Sequence, residues 1–168
     1  PGGQHPLDRA VVAEHREGGP LYISREGGGI RSSVRKLREA RAATLEHGAL
    51  ARMRQFAAHG TTTVEAKSGY GLTVQDELKM LRVIARLQTV SQLEWVPTFL
   101  GAHAIPPEYA GRGDEYTRLI IDEMLPRVAA EHLAEFCDVF CEENYFSREQ
   151  SRAILVAAAA RGLRLKIH

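Results

Sequence analysis

Along the chain, short apolar runs each stop abruptly at polar, glycine or ionisable residues. Thr61, Thr62, Thr63 and Val64 are β-branched and suit a pleated strand, while Ser68, Gly69 and Gly71 just beyond them permit a tight turn that brings backbone close to a ligand. Lys67 and Tyr70 are then expected at that strand's carboxyl end. The pattern recurs in LEWVPTFL from Leu93 to Leu100, which runs into Gly101, Ala102 and His103. FCDVFCEENYF from Phe136 passes into Glu142 and Glu143, and LRLKIH from Leu163 ends at His168. Between the runs lie helical spacings with start signals. Thr73 and Asp76 resemble a capping box ahead of Leu78, Leu81 and Ile84, and Ser147 with Gln150 precedes Ile154, Leu155 and Ala158. Asp114 is placed to cap a helix carrying Leu119, Ile120, Met124 and Val128. Leu50, Met53 and Phe56 predict an earlier helix ending at His59 and Gly60.

The predicted order is α, β, α, β, α, β, α, β. Short loops between alternating elements favour parallel strands joined by right-handed crossovers, in an open doubly wound sheet or a (β/α) barrel. No GxGxxG or GxxxxGK[ST] follows a strand, so a nucleotide-binding sheet has little support and the expectation is an α/β fold of the (β/α) TIM-like barrel type. Lys67, Tyr70, His103, Glu142 and His168 fall at or just past strand carboxyl ends, where such folds place ligands; that convergence points to an enzyme. A (β/α) barrel needs about 250 residues to close. The 168 residues here therefore read as a partial barrel over 1–168, with four strands and a candidate fifth near Ala10 to Ala13. Pro1 in place of Met agrees with a fragment, and unpaired sheet edges are expected to need covering.

Charge changes the picture little. A net charge of +1 gives no reason to expect nucleic acid or an acidic membrane as partner. Arg31, Arg35, Lys36, Arg38 and Arg41 form a basic cluster on a predicted helix, read as a solvated face that Glu39 partly offsets. The apolar run from Ala153 to Ala160 is too short to span a bilayer and no signal peptide is visible, so a cytoplasmic protein is expected. Cys137 and Cys141, four apart on one predicted strand, share a face and are expected as buried thiols. His47 and His132 lie in polar, helix-like surroundings and read as surface residues.

GGGI at Gly27 to Ile30, GTTTVEAKSGYGL at Gly60 to Leu72, TFLGAHAIPPEY at Thr98 to Tyr109, DVFCEE at Asp138 to Glu143 and the closing LKIH together resemble the imidazolonepropionase family of the amidohydrolase superfamily, in order and spacing. The resemblance extends over about the last 140 residues. It implies a metal-dependent cyclic amidohydrolase of histidine degradation that opens 4-imidazolone-5-propanoate to N-formimidoyl-L-glutamate. It further implies one zinc or iron ion per complete site, a small-molecule substrate and an assembly for which a homodimer is a candidate. Carried onto this chain, it makes His168 a metal ligand, His103 a catalytic and substrate-contacting residue, and Tyr70 and Arg16 substrate contacts. The chemistry is compatible: a divalent ion activates water, His103 could polarise the ring carbonyl or stabilise the oxyanion, and the Arg16 guanidinium suits a propionate carboxylate.

At the amino terminus the pattern departs from the family. PGGQHPLDRAVVAEHR lies on the family's first segment without gaps, but the positions of its His-x-His metal pair hold Leu7 and Arg9, neither of which can replace a neutral imidazole. His5 and His15, ten residues apart, do not rebuild the pair. Residues 1–26 therefore count as divergent, Glu17 to Glu26 being shorter than the family norm. His168 is also the last residue, so a later aspartate ligand is not in this sequence. The isolated chain is expected to be inactive, which leaves as the alternative function an inactive barrel fragment that binds a ligand or pairs with another chain. A Schiff-base lyase using Lys67 or Lys166 is a further, weaker alternative.

Overall fold

A computed structural model describes residues 30 to 168. The chain divides into two compact units, Pro1–Glu39 and Ala40–His168. Of the first, the described element is helix α1, Ile30–Glu39, on which Arg35 and Lys36 are exposed. Arg41 of the expected basic cluster is not on α1; it stands at the amino-terminal cap of the next helix.

The second unit runs α2 (Ala42–Ala58), β1 (Thr63–Lys67), α3 (Val74–Val90) and β2 (Glu94–Ala102). A 3-10 turn, Pro107–Tyr109, leads into a long helical stretch, after which come β3 (Phe136–Val139), α6 (Arg148–Ala159) and β4 (Arg164–Ile167). Each strand pairs in parallel with the next, in the order β1-β2-β3-β4. A doubly wound sheet reverses its strand order at a switch point, whereas this one advances by one neighbour each time. Right-handed crossovers then put the helices on one face, as around a (β/α) barrel. The result is a four-stranded parallel sheet of that type, without closure among the described residues.

The pleat shows the same asymmetry. Trp95, Phe99, Cys137 and Val139 point to the helix side and are buried, and Phe99, Cys137 and Val139 are fully so. Thr63, Glu65, Lys67 and Glu94, which alternate with them or lie opposite in register, are exposed on the other face. Leu81, Leu87, Ile120, Met124, Leu125, Val128 and Ile154 complete the helix-side core, each large side chain contributing about 1.5–3 kcal/mol by leaving water. Phe56, placed on α2 by its spacing, is instead 44% exposed. Among the described residues no helix is long and apolar enough to cross a membrane.

Local signals set most boundaries. Thr73 caps α3 through the Asp76 amide, 3.1 Å from its hydroxyl oxygen, and Ser147 with Gln150 forms a complete capping box on α6. The expected cap at Asp114 is corrected: the helix starts at Gly113 with Arg112 as its cap residue, which makes no side-chain capping bond, and Asp114 sits in the first turn, accepting a bond from the Gln150 side chain at 2.7 Å. That stretch is also not one regular helix. It comprises α4 (Gly113–Leu119), a π turn (Ile120–Met124) and α5 (Leu125–Ala130). Pro126 lacks an N–H and its ring crowds the carbonyl four residues back, and the wider π turn gives it room. Cys141 falls outside β3 and is only half-buried, so the two cysteines do not share a strand; Cys137 alone is fully buried.

Candidate active site

The carboxyl ends of all four strands converge on one edge. On the open face of the sheet, Lys67 ends β1, Asp138 lies in β3 and His168 follows β4. The Asp138 carboxylate is 1% exposed and is gripped from both sides. Lys67 Nζ donates to Oδ2 at 2.6 Å and His168 Nδ1 lies 3.0 Å from Oδ1. Burial alone would raise the Asp138 pKa, but the bonds from Lys67 and His168 and their charges outweigh it and hold the carboxyl below its ordinary value. An ionised carboxylate only accepts, so the proton of this contact sits on His168 Nδ1 and the Nε2 lone pair is not committed by it. Backbone pairing fixes the residue as well: the His168 amide donates to the Val139 carbonyl and its own carbonyl accepts from Cys141. Phe140 stacks on its ring, centroids 5.1 Å apart and planes 9° from parallel.

Further along the edge, His103 follows β2 and its Nδ1 lies 3.0 Å from the Gly69 carbonyl oxygen. A carbonyl can only accept, so the neutral ring carries its hydrogen on Nδ1 and presents a lone pair at Nε2. Burial pushes the imidazole pKa down, which keeps that neutral form at pH 7; the bond to Gly69 opposes the shift, and the His168 ring beside it adds to the lowering. The Tyr70 ring meets His103 edge-on at 5.0 Å, and the His103 and His168 rings are 6.4 Å apart.

Tyr70 and Gly69 belong to the loop 68–72, which wraps around the Glu77 carboxylate from α3. Glu77 is fully buried and accepts from the amides of Gly69 at 2.9 Å and of Gly71 and Leu72 at 2.8 Å. The glycines are required here. A Cβ on Gly69, at φ +100°, would come within 2.8 Å of the Leu100 carbonyl oxygen, and one on Gly71 within 2.5 Å of the Asp76 backbone.

Tyr70, His103 and His168 are thus brought together, and Lys67 joins them through Asp138. Glu142 is not part of the cluster: it lies exposed beyond β3 with its carboxylate turned onto the Glu143 amide. Arg16, and with it His5, Leu7, Arg9, His15, the strand expected near Ala10 and Gly27 to Gly29, lies outside the described residues. His47 and His132 are exposed. Lys166 is engaged by Glu65 at 2.6 Å, which also accepts from Thr98. Both candidate Schiff-base lysines are therefore engaged by carboxylates, Lys67 by Asp138 and Lys166 by Glu65, rather than enclosed in an apolar pocket.

Sequence reasoning did not single out Asp138 or Glu77. For Asp138 a signal existed, since a lone carboxylate between Phe136, Cys137, Val139 and Phe140 has to find cations. Glu77 resembles any acid in a first helical turn. As for a metal, His168 Nε2 is a suitable donor, but among the described residues no group of three or more His, Cys, Asp or Glu side chains is placed to hold an ion. The described residues on their own do not make a metal site.

A parallel β/α sheet whose carboxyl edge carries two histidines, a tyrosine and a buried aspartate paired with a partly exposed lysine is of the partial (β/α)-barrel type. Comparison with known sequences narrows this further. No protein-family model matches the chain. The chain is 52% identical over 169 residues to the imidazolonepropionase of Solibacter usitatus, covering 98% of this chain and 40% of that protein. It is 52% identical over 162 residues to that of Clostridium tetani, covering 95% and 39%. With the imidazolonepropionase of Haloarcula marismortui it shares 51% over 146 residues, covering 87% and 34%. By sequence, then, this chain is homologous to imidazolonepropionases, and it spans about two fifths of the length of the curated relatives it matches.

Proposed function

We propose that this edge forms one wall of a site that hydrolyses 4-imidazolone-5-propanoate to N-formimidoyl-L-glutamate. In that reaction water adds at the ring carbonyl and the carbonyl C–N bond breaks, leaving a carboxylate and the formimidoyl group. The observation that supports this reading best is that Tyr70, His103 and His168, contributed from beyond the carboxyl ends of three separate strands, meet at one end of the sheet. The similarity to imidazolonepropionases across nearly the whole chain supplies the substrate class.

The roles follow from donor and acceptor chemistry. His103, with its hydrogen held on Nδ1 by Gly69, accepts at Nε2; it suits a ring N–H, or uptake of a proton as the ring opens, better than donation to an oxyanion. Tyr70, about a third exposed beside it, offers a ring edge and a phenol to a flat polar heterocycle. Arg16 is proposed for the propionate carboxylate. Zinc or iron is proposed as the cofactor of the complete site, with His168 Nε2 as the ligand this sheet provides; no step is assigned through the metal, because among the described residues no group of three or more donor side chains is placed to hold it.

A second reading is favoured by the lack of a three-donor group among the described residues and by Leu7 and Arg9 at the positions of the ligand pair: the chain by itself binds the heterocycle and does not turn it over. One experiment separates the two. The purified 168-residue chain is dialysed against a weak chelator, analysed for zinc and iron, and assayed for formimidoylglutamate. About one ion per chain with product formation supports catalysis by this chain. Absence of metal and product, with retained binding of the stable analogue imidazole-4-propanoate, supports the second reading. Absence of metal, product and binding refutes both.

A further inference from the structure

Four hydrogen bonds converge on one buried carboxylate in a loop whose Ser68, Gly69, Gly71 and Leu72 are themselves buried, so the Glu77 side chain takes the place of water as acceptor for its amides. Glu77 accepts from Gly69 at Oε2 and from Gly71 and Leu72 at Oε1. It also takes the hydroxyl of Ser68, whose oxygen in turn accepts the Leu100 amide of β2 at 2.9 Å. The converging amides form the kind of concave nest that elsewhere captures an anion, here filled by the chain's own side chain. Leu72 completes the loop in the left-handed region at φ 55°, unfavourable for a side-chain-bearing residue, with its amide secured by Glu77. What this arrangement delivers to the site is the Gly69 carbonyl, 3.0 Å from His103 Nδ1, and the Tyr70 ring, edge-on to the same imidazole.

We propose that Glu77 is a positioning residue of the site: through loop 68–72 it fixes the Gly69 carbonyl that holds His103 in its Nδ1–H tautomer, so that Nε2 is presented as an acceptor beside Tyr70. The proposal rests on the preceding functional reading for the identity of the ligand, but the link from Glu77 to His103 stands independently of it. Glutamine at this position has one accepting oxygen in place of two, and its amide N–H groups would face amides that need acceptors. Glu77→Gln therefore releases at least one corner of the turn while keeping side-chain volume.

The test uses the full 168-residue chain, with two readouts. The first is the side-chain nitrogen-15 spectrum of His103, which reports its tautomer, with His47 and His132 as references. The second is the affinity for imidazole-4-propanoate. The expected result is an Nδ1–H tautomer for His103 in the parent chain. In Glu77→Gln, with far-UV circular dichroism unchanged, the expected results are a mixed tautomer and about tenfold weaker binding. An unchanged tautomer together with affinity within about twofold of the parent overturns the proposal, as does an Nε2–H tautomer in the parent chain. If the parent does not bind the probe, the functional reading fails while the tautomer comparison still decides the role of Glu77. Should Glu77→Gln fail to fold, Glu77→Asp, which keeps the charge but withdraws it by one methylene, is read in the same way. If neither variant folds, Glu77 serves the fold alone and the positioning claim falls.

Discussion

Replacing Lys67 with methionine keeps the length and much of the apolar stem of the side chain but removes the ammonium that lies 2.6 Å from Asp138. The carboxylate left behind is 1% exposed and keeps His168 as its remaining hydrogen-bond donor. Removing one partner of a fully buried pair costs about 3–5 kcal/mol, whereas an exposed pair is worth about 0–1 kcal/mol. Lys67 is 36% exposed, so solvent screens part of the interaction and the expected loss is about 2 kcal/mol at pH 7. With a urea slope of about 2 kcal/mol/M for a chain of this size, the unfolding midpoint moves down by about 1 M. The pH dependence is the sharper check. Lys67 and His168 hold the Asp138 carboxyl below its ordinary value, so their stabilisation is complete above the unfolded carboxyl pKa, about 3.9, and is lost as pH falls through the folded value. The difference between the parent and Lys67→Met should accordingly be largest near neutrality and shrink toward zero as Asp138 protonates. Urea unfolding followed by circular dichroism at pH 7, 5 and 3 measures it. A difference below about 0.5 kcal/mol at pH 7, or one that persists undiminished at pH 3, would refute this account of the pair.

Other consequences can be checked on the same chain. Gly71→Ala places a Cβ 2.5 Å from the Asp76 backbone and should open the turn, costing about 1–3 kcal/mol in urea unfolding and weakening imidazole-4-propanoate binding. Burial pushes the Cys137 thiol up to about 12, so under native conditions an aromatic disulfide reagent should label the half-buried Cys141 first and Cys137 only as the chain unfolds; prompt labelling of both would contradict the fold around β3. Burial lowers the His103 pKa, so the unfolded chain binds more protons in the window below the ordinary histidine value of about 6.5. The parent should therefore lose more stability than His103→Gln between pH 7.5 and pH 5.5, and equal losses would show that His103 is not buried neutral.

The sequence carried the sheet legibly because each strand ends where apolar residues give way to glycine or an ionisable group, and that same transition marked Lys67, Tyr70, His103 and His168. Less legible was whatever depends on partners distant along the chain. Asp138 acquires its importance from Lys67, 71 residues away, and from His168, 30 residues away, and the register that joins them is set by three strand pairings. Asp114 carried a capping signal that the fold does not use, because Gln150, 36 residues on, takes its carboxylate. Glu77 acts within nine residues of itself, yet neighbouring Asp76 already explained the helix start, so a second acid in the same turn gave no reason for notice. Phe56 shows the reverse error: its helical spacing was right, but spacing cannot tell whether another element covers that part of the face.

The central claim is that residues from separate strand ends face one small heterocyclic ligand. Its most direct test is a titration of the chain with imidazole-4-propanoate, followed by nuclear magnetic resonance of the histidine rings and of the Gly69 to Leu72 amides. The account predicts saturable shifts at His103, His168 and the loop amides with one common dissociation constant, while His47 and His132 stay still. Absence of shifts at His103 and His168, or shifts of similar size at all four histidines, would contradict it.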